Sequence, residues 1–332
     1  MKTNPANKLG ITLAGVLALT VSSARADSFG TTGNDFTIDF VNIGNPGNAD
    51  DAGAGGGHYS SPFGGVSYDY RIGTYEISQA QIEKATASGL ANVTAGAWSG
   101  NKPAANMSWF EMAAFVNWMN TSTGHHAAYQ IDADVTAITL WTSPEAWQTD
   151  GENLYRHKNA YYFLPSEDEW YKAAYHKNDG VTANYWDFPT GSNTVPTPVA
   201  SSTGAGTVVY RQPFLQGPAN VNSSGGLSAY GTQGQGGNVW ELMESAFAAP
   251  NDNPIEDPAR RGDSWIDVGG DDYLRSETRT HGDAFLSNST YGFRVASAPI
   301  GTGLPEPTSL ALLAAAVVGL ASCRSRRSRV DH

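Results

Sequence analysis

Three short amphipathic segments in the middle of the chain each follow a serine and predict three helices. Each begins with a capping box. In this motif the serine side-chain oxygen accepts a hydrogen bond from the backbone N–H three residues later, and the side chain of that later residue accepts one from the serine's backbone N–H. The boxes lie at 78–81, 108–111 and 166–169. The apolar faces behind them predict helices that extend to residue 87, over 109–119 and over 167–176.

Alternating aromatic and β-branched residues predict strands at 36–41, 68–77 and 208–210. The composition of 50–57 predicts a flexible loop, and Gly, Pro, Ser and Asn dominate 186–237. Long irregular segments that alternate with scattered tryptophans are typical of an α+β domain with little regular structure. They do not fit a Rossmann sheet or a barrel.

The first 26 residues combine two lysines, an apolar run and small residues at Ala24 and Ala26. This order predicts a secretory signal peptide over 1–26. The alternative is a short membrane anchor, but the apolar run is shorter than the roughly 20 residues that span a bilayer.

The C-terminal segment 304–329 reads Pro-Glu-Pro, then small and apolar residues, then an arginine cluster. This order resembles the PEP-CTERM sorting signal, which implies cleavage by an exosortase-type protease in the membrane. The alternative is a plain C-terminal anchor, with the arginines on the cytoplasmic side. In either case we expect an exported body at the cell envelope or extracellular surface, with this segment as its only, transient, membrane contact.

Charge and cysteine content narrow the function classes. Residues 27–303 carry 13 basic and 30 acidic side chains, which disfavours nucleic acid as a partner. The single cysteine, Cys323, lies in the sorting segment, so the body has no disulfide.

Six phrases carry a resemblance to the formylglycine-generating enzyme / sulfatase-modifying factor family. They are YRIGTYEIS at 70–78, KP at 102–103 with SW at 108–109, FLPSEDEW at 163–170, GGNVWE at 236–241, RGDSW at 261–265 and YGFRV at 291–295. The resemblance implies a decorated C-type-lectin-like α+β domain over 68–298. Residues 27–67 are then a lead-in with one strand and a Gly-rich stretch.

Backbone carbonyls and a carboxylate in the phrase at 236–241 are suited to calcium. The family resemblance implies such a site, with the carbonyls of Gly237 and Val239 and the side chain of Glu241 as ligands. The alternative is that Glu241 only hydrogen-bonds its own loop. The family has an acidic or amide side chain as a further ligand three residues before Gly237. This chain has Gly234 at that position, so that ligand is missing. Asn220 and Val221 resemble part of a second family calcium site.

The family's reaction requires two cysteines five residues apart, whose thiolates bind copper. Those positions are Asp267 and Asp272 in this chain. Oxygen ligands do not replace a soft sulfur pair, so we expect no copper and no formylglycine generation. The acidic loop that includes Asp271 could hold calcium or be solvated.

These observations favour a non-catalytic binding or structural module, with a surface polysaccharide or an envelope protein as partner. The alternatives are a metal-dependent oxidoreductase or another enzyme on the same scaffold, and a matrix protein without a specific ligand.

Packing is the favoured role of four aromatic residues that could also stack on sugars, Trp141, Trp147, Tyr161 and Tyr162. The Arg-Gly-Asp tripeptide at 261–263 is interpreted as a family phrase with one substitution, not as an adhesion motif.

Overall fold

The structure, a computed structural model, describes residues 25–52, 62–248, 250–254, 256–266 and 269–300. The predicted sorting segment and all but the last two residues of the predicted signal lie outside the described residues. Asp267 and most of the predicted loop at 50–57 do so as well. No helix in the described ranges is long and apolar enough to cross a membrane.

Three α-helices begin directly after the serines of the three capping boxes. They are α1 (Gln79–Ala87), α2 (Trp109–Ser122) and α3 (Glu167–Tyr175). Both reciprocal hydrogen bonds of the box are present in each. The three predicted helix starts are therefore confirmed, and α2 continues three residues beyond its predicted end.

Most strands are very short, and they form two sheets and three two-stranded ribbons. The strands are β1 (Arg25–Phe29), β2 (Phe36–Ile43), β3 (Tyr70–Gly73), β4 (Gln130–Ile131), β5 (Ile138–Thr139), β6 (Ala146–Trp147), β7 (Asn153–His157), β8 (Tyr162–Phe163), β9 (Thr197–Pro198), β10 (Thr207–Val208), β11 (Trp240–Ala246), β12 (Pro258–Arg261), β13 (Thr280–His281), β14 (Tyr291–Gly292) and β15 (Ala296–Ser297). The ribbons are β4–β5, β6–β7 and β9–β10.

The larger sheet has the order β1-β2-β3-β15-β8, and every pair in it is antiparallel. Ile72 of β3 lies opposite Val41 on one side and Ala296 on the other. The lead-in before residue 68 therefore supplies two strands of this sheet. The strand predicted at 36–41 is confirmed as β2, whereas only part of 68–77 forms β3.

The second sheet has the order β13-β12-β11-β14. β11 pairs in parallel with β14 and antiparallel with β12. Helix α3 packs against β11, with Trp170 and Ala174 in one buried cluster with Met243. Helix α2 is buried along most of its length and packs against β8, so it forms the centre of the largest apolar core.

A buried ion pair attaches β1 to this sheet. Arg71 of β3 is almost fully buried and donates from Nη2 to Oδ2 of Asp27 at 2.6 Å and from Nη1 to Oδ1 at 3.1 Å. Tyr162 of β8 also donates to Oδ2 of Asp27, at 2.9 Å. One carboxylate therefore connects the first strand with two others.

Asp27→Asn should destabilise the protein, because it removes the negative charge that compensates a buried guanidinium. We expect the free energy of unfolding, measured by urea denaturation, to fall by about 2 kcal/mol. The control is Asp35→Asn, an exposed position before β2, which should change it by less than about 0.5 kcal/mol. An effect of Asp27→Asn as small as the one expected for Asp35→Asn would contradict a stabilising role of the ion pair.

Candidate functional site

The carboxylate of Glu241, near the start of β11, lies fully inside the protein. Its Oε1 accepts a hydrogen bond from Arg294 Nη2 at 2.6 Å, and its Oε2 accepts one from Arg294 Nε at 2.7 Å. Trp170 Nε1 of α3 donates to Oε2 at 2.7 Å. Both oxygens are thus bound by protein donors, and one of those donors carries a full positive charge.

Arg294 uses its remaining N–H groups on backbone carbonyls. Nη1 donates to the carbonyls of Gly73 at 3.0 Å and Thr74 at 3.3 Å, and Nη2 donates to that of Gln233 at 2.9 Å. A guanidinium has five N–H donors, and this geometry uses all of them. Arg294 therefore joins the end of β3 to the second sheet.

A second buried carboxylate, Glu76, lies beside this pair. Its Oε2 accepts from Asn238 Nδ2 at 2.6 Å, and its Oε1 accepts from the backbone N–H of Val239 at 3.3 Å. Burial raises the pKa of Glu76 well above its usual range, and the negative charge of Glu241 raises it further. The positive charge of Arg294 lowers the pKa of Glu76, but by less than burial and Glu241 raise it.

The backbone at Gly234 leaves no room for a side chain. Its φ of +78° favours glycine, and a Cβ there would lie 2.7 Å from Ser224 Oγ and 3.1 Å from Glu76 Oε2. The Glu76 carboxyl and Ser224 thus fill the space in which a ligand side chain from position 234 would stand.

The described part of the acidic loop around residue 270 is held by its own contacts. Asp271 forms an ion pair with Arg275, with 2.8 Å between Oδ2 and Nη2. Asp272, exposed, begins a 3-10 turn and accepts the N–H of Arg275 on its carbonyl. Among the described residues, no group of three or more His, Cys, Asp or Glu side chains could hold a metal ion.

Comparison with protein families decides the identity of the domain. Residues 51–299 match the model of the sulfatase-modifying factor enzyme 1-like domain. The chain belongs to this family. The resemblance of the six sequence phrases is confirmed, and so is the α+β, C-type-lectin-like fold.

Solved structures agree on the fold at low sequence identity. Variable protein 1 of Treponema denticola has a TM-score of 0.56 at 18% identity, over 82% of this chain and 99% of that one. PvdO from Pseudomonas aeruginosa gives 0.52 at 13%, over 82% and 98%, and CarF gives 0.51 at 20%, over 79% and 98%. A search of curated proteins found no match.

The residues around Glu241 do not fit the calcium ion that the family resemblance implies. An ion there would have to displace the guanidinium of Arg294, and position 234 supplies no side chain. The Gly237 N–H donates to the Gly262 carbonyl at 2.6 Å, so this turn is closed by the backbone. Calcium at Gly237, Val239 and Glu241 stays a prediction, and this geometry gives it no support.

Asn220 and Val221 lie at the start of a 3-10 turn. The Asn220 side chain is exposed, and its carbonyl accepts the N–H of Ser223 at 2.9 Å. The Val221 carbonyl accepts from Ser224 Oγ at 3.0 Å. Val221 and Glu76 border one cavity of about 170 Å³. A second calcium site here also stays a prediction.

The Arg-Gly-Asp tripeptide is buried. Arg261 pairs with Glu167, with 2.7 Å between Nε and Oε1, and Asp263 is fully inaccessible. Gly262 has a φ of +100°, and a Cβ there would lie 2.7 Å from the Gln235 carbonyl. An adhesion receptor could not reach this segment in the folded protein.

The four aromatic residues considered for sugar stacking have different environments. Tyr162 is buried in the core. Tyr161 and Trp141 are half-exposed, and each packs against a histidine ring, with centroids 4.5 and 4.6 Å apart. Trp147, also half-exposed, borders a cavity. Packing thus accounts for the first three, whereas Trp147 faces open space.

Sequence reasoning did not single out Glu76 or Arg156 as important. Glu76 lies inside the phrase at 70–78, where a charged residue among apolar ones was the available signal. Arg156 is fully buried between Glu169 and Glu244, both at 2.9 Å, and stands 3.7 Å from the centre of the Phe163 ring. Glu244 is 88 residues from Arg156 in sequence, so no local pattern reveals the complete cluster.

The raised pKa of Glu76 predicts a distinctive pH dependence of stability. An unfolded glutamate ionises near pH 4.3. Above that pH the folded protein still holds a proton that the unfolded chain releases, so stability falls by up to about 1.4 kcal/mol per pH unit until the raised pKa is reached. Glu76→Gln should remove this part of the slope in urea titrations from pH 4 to 8.

The slope, not the absolute stability, is the readout, because glutamine replaces one acceptor of Glu76 with a donor. Glu83→Gln, at an exposed position on α1, should leave the slope unchanged. A slope that is the same in the wild type and in Glu76→Gln would show that Glu76 ionises normally in the folded protein.

Proposed function

We propose that this chain is an exported protein of the cell envelope or surrounding matrix, and that its sulfatase-modifying-factor domain is a non-catalytic binding or structural module. The observation that carries the proposal is chemical. The single cysteine of the chain is Cys323, outside the family domain, and aspartates stand at positions 267 and 272. Carboxylates are hard ligands and cannot supply the soft thiolates that bind Cu(I).

The contacts of the acidic loop support a structural role for this region. Asp271 is used in its ion pair with Arg275, and Arg261 is used in its pair with Glu167. Glu167 also accepts from Arg279, with 2.5 Å between Oε2 and Nη2. These side chains are thus engaged in holding the fold together.

The purified body should not convert a cysteine-containing sulfatase peptide to its aldehyde. Mass spectrometry of the peptide measures the loss of sulfur, and a family member that retains both cysteines serves as the positive control. Conversion above the rate of a reaction without protein would refute the non-catalytic proposal.

Elemental analysis of the same preparation tests the alternative, a metal-dependent oxidoreductase on this scaffold, together with the two calcium predictions. After dialysis against buffer that contains calcium, copper and iron, we expect less than about 0.1 equivalent of copper or iron. One or two equivalents of calcium would support the sites at Glu241 and Asn220. Stoichiometric copper would favour the enzyme.

Export rests on the predicted signal at 1–26 and the predicted sorting segment at 304–329. We propose an exosortase-type protease as processing partner and a surface polysaccharide or envelope protein as binding partner. The acidic body again disfavours nucleic acid.

N-terminal sequencing of the exported protein should begin at Asp27. Replacement of Ala24 and Ala26 by bulky residues should block cleavage, whereas Ala14→Leu, in the apolar run, should not. A first residue at Met1 on the exported protein would indicate an uncleaved anchor instead.

A further inference from the structure

A partly open cavity of about 220 Å³ lies where the N-terminus of α3 meets the end of β11. It exceeds the roughly 150 Å³ of an engineered cavity that admits benzene, so one substituted six-membered ring fits. At about 3.3 Å per residue, Ser245 lies roughly 13 Å along β11 from Glu241, so the cavity is separate from that carboxylate centre. The side chains that matter are Tyr68, Trp147, Asp150, Ser166, Asp168 and Ser245.

One wall of the cavity is aromatic. Trp147 of β6 and Tyr68 pack edge to face with their centroids 5.2 Å apart, and both remain half-exposed. The Tyr68 hydroxyl is fixed because it donates to Glu169 Oε1 at 2.6 Å. This wall offers a rigid apolar surface to a ligand and loses little conformational entropy on binding.

Two carboxylates supply hydrogen-bond acceptors. Asp150 accepts the N–H of Ser67 on Oδ2, and Asp168 accepts the N–H of Gly64 on Oδ1, each at 2.8 Å. Within the described residues, the other oxygen of each carboxylate accepts no hydrogen bond from the protein. Burial raises the pKa of Asp168 to about 7, so near neutrality this carboxyl both donates and accepts.

Two serines supply donors. Ser166 Oγ accepts the N–H of Glu169 at 3.2 Å, and Ser245 Oγ accepts the N–H of Glu167 at 2.9 Å. A hydroxyl that accepts from the backbone still has its own proton to donate. The cavity therefore presents donors and acceptors next to an aromatic wall.

The charge of the cavity selects among ligands. Arg156 borders it, but its guanidinium is already paired with Glu169 and Glu244. The carboxylates of the lining therefore disfavour phosphate, sulfate or a uronate. An ammonium group has only donors and could not accept from the two serines. A neutral ligand with several hydroxyl groups meets both requirements.

We propose that this cavity binds one neutral pyranose ring of a polysaccharide. The C–H face of the ring packs on Trp147 and Tyr68, and its hydroxyls pair with Asp150, Asp168 and the two serines. The inference rests on the binding role proposed above and gives it a site and a ligand class.

Saturation-transfer NMR with methyl glucoside, galactoside and mannoside tests the site. For a single ring we expect a dissociation constant of millimolar order, because few atoms contribute. Trp147→Ala should weaken binding of the preferred glycoside at least about 10-fold. Trp141→Ala, a half-exposed tryptophan outside the cavity, should leave binding unchanged.

Asp150→Asn is the second variant. Asparagine tolerates the φ of +62° at this position and keeps an acceptor for the Ser67 N–H, so the fold should be retained. We expect several-fold weaker binding and an unchanged melting temperature. If Trp147→Ala does not fold, binding of the glycoside to Asp150→Asn tests whether the cavity is the binding site.

Three results would overturn the inference. The first is that no pyranoside binds the wild type. The second is that binding is equal in the wild type and in both cavity variants. The third is that a polyamine or a short peptide binds in the cavity and the neutral glycosides do not. None of these results depends on aldehyde formation, so the assay with the sulfatase peptide tests the non-catalytic proposal separately.

Discussion

The structure depends most on the guanidinium of Arg294, buried against Glu241. Its donors reach two carboxylate oxygens and three backbone carbonyls, and these belong to the end of β3, the loop before β11 and β11 itself. In a domain with so little regular structure, many carbonyls cannot find a partner in a helix or a sheet. A single planar cation satisfies several of them together. Loss of either partner would leave a buried charge uncompensated, which costs about 3–5 kcal/mol.

Other buried arginines in the protein are paired with carboxylates in the same way. Arg71, Arg156 and Arg261 are also almost fully buried, and each is paired with at least one carboxylate. Aromatic rings cover several of these guanidiniums, as Phe163 covers Arg156. The family domain has no cysteine, so cross-links between its distant segments come from such pairs instead of disulfides. Several acidic residues thus serve inside the protein, as partners of buried guanidiniums.

Local sequence signals predicted the local structure. A capping box acts within four residues, so all three helix starts were readable, and the alternation at 36–41 sufficed for β2. Most two-residue strands were not readable, because a strand such as β15 forms only through pairing with distant segments: β3 lies more than 220 residues earlier and β8 more than 130. The hydrogen-bond partners of Glu241 were not readable for the same reason: its phrase suggested a cation ligand, whereas Arg294 and Trp170, which bind its carboxylate, come from elsewhere in the chain. The cavity beside Trp147 likewise joins segments that are distant in sequence.

The alternation of strand direction in the larger sheet has a geometric consequence. Counting from β1 through β2 and β3 to β15, each neighbour reverses, so the start of β1 and the end of β15 face the same way. They are three strand spacings apart, roughly 14 Å. The first residue of β1 and the last residue of β15 therefore lie at one pole of the sheet. If the proposed sorting segment tethers the protein at that pole, the opposite pole points away from the membrane.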